Sequence, residues 1–312
     1  MSDGRRAGAA RSLAKRALFA TLRGSGVAAI ARRRMRGRTL VLAYHGIVPD
    51  GESPAGERSL HLPQRRFAEQ LDELRGTCDV VPLDAVLSDA RVSRPRAAIT
   101  FDDAYHGAVS AGAVELARRD LPATVFVAPG FVPGGRFWWD DLATAHAGEL
   151  PERLRRTALE DCRGDDALVR RWAAASGLDA ATPTPAFTRA ASLQELADAA
   201  AAGRITFGAH TWRHPALPRL GPEALAEELA RPLAWLREHF PERTLPWLAY
   251  PYGLESPAVR AAARDAGYVA ALRVDGGWMR AGDDQLALPR LNVSAGMSLD
   301  AFALRLAGML GR

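Results

Sequence analysis

Apolar runs of strand length recur along the chain, separated by polar or turn-forming stretches. Thr39 to Tyr44, Val80 with Val81, Ala97 to Phe101 and Ala123 to Ala128 read as buried strands in the first half. Ile205 to Ala209, residues 247–250, Tyr268 to Leu272 and Leu288 to Val293 repeat the pattern in the second. Between them the apolar spacing becomes helical. Pro63 to Arg75 places Phe67, Leu71 and Leu74 on one face, and residues 84–87, 105–119, 222–239, 256–266 and 299–309 also read as helices. Continuous apolar strands alternating with helices predict parallel β/α units, and about seven such strands predict an α/β fold, a closed or nearly closed (β/α) barrel.

Two stretches break the rhythm. Val48 to Leu62 is rich in Pro, Gly, Ser and Glu and reads as a loop. Residues 131–203 are mostly helical in composition, with Leu142, Leu150, Leu154, Leu168 and Trp172 as apolar anchors and Thr182-Pro183-Thr184-Pro185 as a break before a helix from Ser192 to Ala202. This segment is expected to be an insertion packed over the barrel, because its ends return to consecutive strands. The chain is thus expected to comprise a leader, 1–38, and one domain, 39–312.

Charge changes the picture of the leader. Residues 1–38 hold eleven Arg or Lys against one acid, Asp3, so they carry 11 − 1 = +10, and the net charge of +5 leaves 5 − 10 = −5 for the remainder. Arg11 with Lys15 and Leu18 with Leu22 fall at helical spacing. Two expectations stand side by side: an amphipathic basic helix lying on an anionic membrane, or a solvated tail. Nucleic acid is not an expected partner, since Phe19 is the only aromatic residue there to stack a base. The longest uncharged stretch of the leader, Gly24 to Ala31, is short and Gly-rich, and no run approaches a membrane-spanning length. The expected compartment is the cytoplasm, with the inner membrane surface as the site of any peripheral contact. Cys78 and Cys162 lie far apart in no metal-type spacing and imply no disulfide framework.

The candidate chemistry sits at strand ends. His210-Thr211-Trp212-Arg213-His214 follows one apolar run, and two imidazoles four residues apart can converge on one metal ion. Thr100-Phe101-Asp102-Asp103 closes another, and two His with one carboxylate form a set that leaves a coordination position open. Taken alone, an HxxxH pair also fits a solvated helix face, and Asp-Asp fits a turn or helix cap. Their position after strands, where barrels gather catalytic groups, favours chemistry. Tyr44-His45-Gly46 and Tyr250-Pro251-Tyr252-Gly253 end two further strands. Trp138 and Trp139 read either as a sugar-stacking wall or as buried anchors. Trp212, Pro251 and Tyr252 join them as candidate substrate contacts. His61, His106, His146 and His239 fall on loops or helices and are expected to be solvated, His106 being near enough to the Asp pair to line a cleft. No internal repeat, phosphate-binding glycine loop or nucleophile elbow is present.

The Asp102-Asp103, His210-x-x-x-His214 and Tyr250-Pro251-Tyr252-Gly253 motifs, in that order, resemble the polysaccharide deacetylases of carbohydrate esterase family 4, the NodB homology domain, over roughly residues 39–295. Tyr44-His45, Trp138-Trp139-Asp140 and Leu288-Pro289-Arg290 resemble the exopolysaccharide-biosynthesis branch, which includes enzymes that de-N-acetylate poly-N-acetylglucosamine. The resemblance implies a distorted barrel and a divalent metal, most readily zinc, held by Asp103, His210 and His214. It also implies Asp102 as the base and the backbone N–H of Tyr252 as an oxyanion donor. Two departures stand out. The family's third motif often opens with an Arg that orients the base, and Ala249 occupies that position, so Arg290 is expected to supply the guanidinium. The family's last motif usually provides an acid His, yet no His follows His239, which leaves His45, or water and substrate groups, for that task. The expected reaction is removal of N-acetyl groups from an amino sugar of a polysaccharide or its lipid-linked precursor. An O-acetyl esterase or other amide hydrolase on the same scaffold, and a non-catalytic carbohydrate-binding protein, are the competing readings.

Overall fold

Residues 17–24, 26–88, 93–132, 134–178 and 184–310 are described by a computed structural model. Their strands are β1 (Thr39–Tyr44), β2 (Gly46–Val48), β3 (His61–Pro63), β4 (Asp79–Val80), β5 (Arg96–Phe101), β6 (Ala123–Val127), β7 (Ile205–Ala209), β8 (Thr244–Ala249), β9 (Ala270–Gly276) and β10 (Leu288–Asn292). Seven close into a parallel barrel in the order β1-β10-β9-β8-β7-β6-β5. β5 returns to β1 along its whole length, from Thr39 opposite Arg96 to Tyr44 opposite Phe101. β4 lies outside the ring, paired with the start of β5 where β6 pairs with its end.

The barrel forms because its strands are apolar on both sides. β1, β5 and β6 are buried at every residue. With a period of two, Leu40, Leu42 and Tyr44 of β1 face outward and share a core with Phe67, Leu71 and Leu74 of the helix Gln64–Thr77. Val41 faces inward and joins Ala98, Phe126, Trp247, Ala249, Ala270, Leu272 and Leu288 in a second cluster that fills the barrel. Small residues at three of these positions make room for Phe126 and Trp247. The same fit requires glycine at position 208, where a Cβ would lie 2.4 Å from the Phe126 ring. Gly208→Ala would overpack the interior at a cost of about 1–3 kcal/mol. Several outer helices begin at sequence-encoded caps: Ser192, Ser256 and Ser298 each accept a backbone N–H of the first turn.

Two expected elements differ from those observed. The stretch read as a loop, Val48 to Leu62, is bounded at its two ends by β2 and β3, a short parallel pair in which His61 fits against Gly46. Three-residue strands are too short to show alternation. The strand expected at Tyr268 to Leu272 instead runs from Ala270 to Gly276. Tyr268 is occupied in ending the preceding helix, donating its N–H to Ala263 and its hydroxyl to Leu229. Between β6 and β7 the chain forms helices Trp138–Ala145, Glu152–Glu160, Asp166–Ala175 and Leu193–Ala202, whose buried residues belong to the outer core cluster. Residues 179–183, which include part of the expected break at 182–185, lie outside the described residues.

Candidate active site

Four strand ends and one strand interior build the site. Alternation that turns Ala98 inward also turns Thr100 and Asp102 inward, and Leu288 does the same for Arg290 two residues later. Arg290 is completely buried and threads up the barrel over the Phe126 ring. Its Nη1 and Nη2 donate to the two oxygens of Asp102 at 2.7 and 2.6 Å, Nη1 also reaches Thr100 Oγ1 at 3.1 Å, and Nε donates to the Arg273 carbonyl at 2.6 Å. Such a two-point pair fixes the plane of the carboxylate as well as its charge. Burial opposes ionisation of Asp102, but Arg290 overrides it and holds its pKa well below the usual carboxylate range.

Asp103, next in sequence, turns the other way at a positive φ of 67° and faces the imidazoles that follow β7. Asp103 Oδ1 lies 3.5 Å from His210 Nε2 and 3.3 Å from His214 Nε2, and the two Nε2 atoms are 3.1 Å apart. His210 Nδ1 lies 2.8 Å from the Ala249 carbonyl, which can only accept, so this nitrogen carries the proton and Nε2 turns its lone pair to the centre. Thr211, His214 and Tyr252 also have positive φ, at 62°, 59° and 58°. Backbone in this region costs about 1–3 kcal/mol per residue and persists where surrounding packing enforces it. Burial works against a charged His210, yet Asp102 and Asp103 together raise its pKa. For His214 burial prevails over Asp103, with His210 adding to it, and the pKa falls to about 3.

The three donor atoms fit a cation. A tetrahedral ion with bonds of about 2.0–2.1 Å separates neighbouring ligand atoms by about 3.3 Å, close to the observed triangle. Asp103 Oδ1 is buried without a hydrogen-bond partner, an expensive state for a carboxylate oxygen with nothing else to hold. Two imidazoles with one carboxylate are also the donor set of catalytic zinc sites.

The triangle opens into a cleft of about 330 Å³. His45, Asp102, Asp103, Trp138, Trp139 and Tyr252 line it. His45 is half-buried, and burial lowers its pKa against the pull of Asp102 and Asp103. Trp139 packs its ring 4.8 Å from that of His214, and Tyr252 packs at 4.5 Å from it, edge-on to Trp139 at 6.2 Å. Trp139 Nε1–H donates to the Tyr105 hydroxyl, which donates to Asp140 Oδ2; Asp140 Oδ1 meets the Glu57 N–H at 2.7 Å and His61 Nε2 at 2.8 Å. Asp140 thereby fixes the aromatic wall.

The family profile described as polysaccharide deacetylase matches residues 89–271, more than half of the chain. The chain belongs to the polysaccharide deacetylase family. Among solved structures, the deacetylase PplD of Streptococcus pyogenes, in complex with acetate, is 17% identical with a TM-score of 0.61, covering 87% of this chain and 99% of its own. IcaB from Ammonifex degensii is 21% identical with a TM-score of 0.59, over 88% of this chain and 97% of its own. The BpsB deacetylase domain from Bordetella bronchiseptica is 12% identical with a TM-score of 0.55, over 82% and 96%. At these identities the likeness is one of fold. No curated protein matches the chain.

Not every candidate residue of this deacetylase reaches the cleft. Trp212 turns toward the helix Pro222–His239, where the Arg231 guanidinium lies 4.0 Å above its ring; the positive φ of Thr211 separates its direction from that of the histidines. Pro251 is buried at the start of the turn that carries Tyr252 and is not among the lining residues. His61, expected on a solvated loop, is instead buried in β3 against Asp140. His106 does not line the cleft and faces Glu195 at 3.1 Å. His146 and His239 are half-buried, and their Nδ1 atoms lie 2.8 and 2.9 Å from the Leu142 and Trp235 carbonyls of their own helices. Leu60, Arg155, Leu159, Val274 and Asn292, which carry no motif, also line the cleft. Asn292 could have been found, since it lies two residues after Arg290 on the same side of β10. Arg155 could not, because only the packing of the helix Glu152–Glu160 brings it there.

Proposed function

We propose that this deacetylase removes N-acetyl groups from an amino-sugar residue of a glycan, with a divalent cation, zinc by its donor set, held by Asp103, His210 and His214. The observation that carries the reading is the pairing of an incomplete donor triangle with a neighbouring carboxylate, Asp102, kept ionised by Arg290. A bound cation supplies Lewis-acid polarisation of the acetamide carbonyl and lowers the pKa of water. Asp102 takes the proton of the attacking water; although both its oxygens accept from Arg290, a carboxylate has about four acceptor sites, and two remain. Arg290 is a positioning residue: it touches Asp102 and not the substrate. The turn begun by Pro251 presents the Tyr252 backbone N–H toward the tetrahedral oxyanion. His45, lowered by burial, is a stronger acid once protonated and delivers the proton to the leaving nitrogen. Acetate departs and an amine stays on the sugar. Trp138, Trp139 and Tyr252 wall the sugar site.

Acetate release separates this reading from its competitors. Purified enzyme, assayed before and after chelation and again with zinc restored, is expected to deacetylate N-acetylglucosamine oligomers in preference to O-acetylated xylan. Preference for xylan would make it an esterase, and no release from either would leave a carbohydrate-binding protein.

A further inference from the structure

The pole of the barrel opposite the cleft has its own unpartnered surface. In the helix Gly26–Arg34, Ala28 is buried while Val27 and Ile30 are 55% and 56% exposed. Together with Leu18 they make three of the seven large exposed apolar side chains among the described residues. The helix has no acid in its first turn and ends in Arg32, Arg33 and Arg34, with Arg36 and Arg38 following. Among the described residues no carboxylate pairs with any of these five arginines, although Arg23, just before them, is tied to Glu73 and Asp300. Arg32, Arg33 and Arg36 converge with Arg94 on a hollow of about 640 Å³ that Thr77 and Ser93 also line.

We propose that this surface docks the enzyme on an anionic lipid bilayer, with lipid phosphates at the arginine hollow, Val27 and Ile30 in the headgroup boundary, and the cleft facing away from the membrane. Exposed apolar residues beside unpaired arginines are what such a surface requires. A nucleic acid would want aromatic residues to stack its bases, and residues 26–38 contain none. A second copy would bring five arginines against five. No helix among the described residues is long and apolar enough to cross the bilayer, so the contact is peripheral.

The orientation follows from the strands. The hollow is lined by residues just before β1, β4 and β5, and the cleft by residues just after β1, β5, β7 and β8. Six-residue strands hold the two poles about 20 Å apart. Combined with the proposed deacetylation, this places the reacting sugar on a glycan that stands off from the headgroups, and disfavours a sugar attached directly to a lipid phosphate.

The docking rests on neither the metal nor the chemistry and is tested without them. The full chain is sedimented with phosphatidylcholine vesicles, with and without phosphatidylglycerol, at low and high salt. Binding is expected only with phosphatidylglycerol and is expected to weaken as salt rises. Arg33→Ala/Arg34→Ala is expected to weaken it about twentyfold and Val27→Ser/Ile30→Ser at least about tenfold. Both variants should keep the wild-type circular dichroism spectrum and wild-type rate on a soluble oligomer. Failure to bind phosphatidylglycerol vesicles, equal binding to neutral vesicles, wild-type binding by both variants, or displacement from the vesicles by RNA would each overturn the proposal.

Discussion

Two buried clusters of histidine and aspartate flank the same cleft, and they differ in whether the oxygens of their carboxylate are satisfied. Around Asp140 both carboxylate oxygens are occupied, by a backbone N–H, an imidazole and a phenol, at 2.7–2.8 Å. Around Asp103 the donor atoms stand 3.1–3.5 Å apart, and Asp103 Oδ1 has no hydrogen-bond partner. The Asp140 carboxylate is fully engaged and, through Tyr105, supports the aromatic wall. The second cluster converges three donor atoms on one point and leaves an oxygen of its carboxylate unpaired. Residue type alone does not separate them, since both contain Asp and His; the satisfaction of the carboxylate oxygens does.

The largest effect should come from emptying the triangle. His210→Ala or His214→Ala is expected to abolish zinc retention and lower kcat/KM by about a thousandfold or more, read by metal analysis alongside acetate release. Removing the base should do nearly as much by another route: Asp102→Asn is expected to keep its zinc and lose about 10²–10⁴ in kcat. Near-normal turnover in that variant would assign the base elsewhere.

Arg290→Gln should act more mildly and change the shape of the pH profile. Asp102 is depressed in the folded enzyme, so the stability its pairing contributes is present above the ordinary carboxylate pKa and is lost as pH falls toward the depressed value. Without the guanidinium only the weaker pull of His210 and His45 remains, and the acid limb of kcat/KM is expected to move to higher pH with about a tenfold to hundredfold lower plateau. An unmoved acid limb would show that Arg290 only packs the barrel.

The Asp140 cluster should respond in stability rather than chemistry. Asp140→Ala strands three buried donors and is expected to cost about 3 kcal/mol or more by denaturant unfolding, while zinc stoichiometry at low temperature stays at the wild-type level. Trp212→Ala is expected to do least, with kcat/KM within about twofold of wild type, because its ring lies under Arg231 outside the cleft.

Much of this was legible in the chain because barrel chemistry is written at strand ends. Thr39–Tyr44 and Ile205–Ala209 were readable to the residue, and each announced a histidine just beyond. Arg290 could be nominated because the position usually held by an orienting Arg is Ala249. Its reach to Asp102 depends on the inward parity of β10, which a strand assignment carries with it. Other features had no local signal. β2 and β3 are three residues each and gain their meaning only from one another. The role of His61 depends on Asp140, seventy-nine positions away. Trp212 lies under Arg231 rather than along the cleft, because proximity in sequence to His210 and His214 says nothing about direction where the backbone passes through positive φ.

The central claim is that one divalent cation, gripped by Asp103, His210 and His214, is required for deacetylation. Zinc titration into chelator-stripped enzyme, followed by calorimetry with acetate release measured at each addition, tests it most directly. Activity should rise in proportion to zinc and saturate at one equivalent per chain, with neither binding nor activity in the His210→Ala/His214→Ala variant. Full activity in the stripped enzyme, or undiminished zinc binding in that variant, would contradict it.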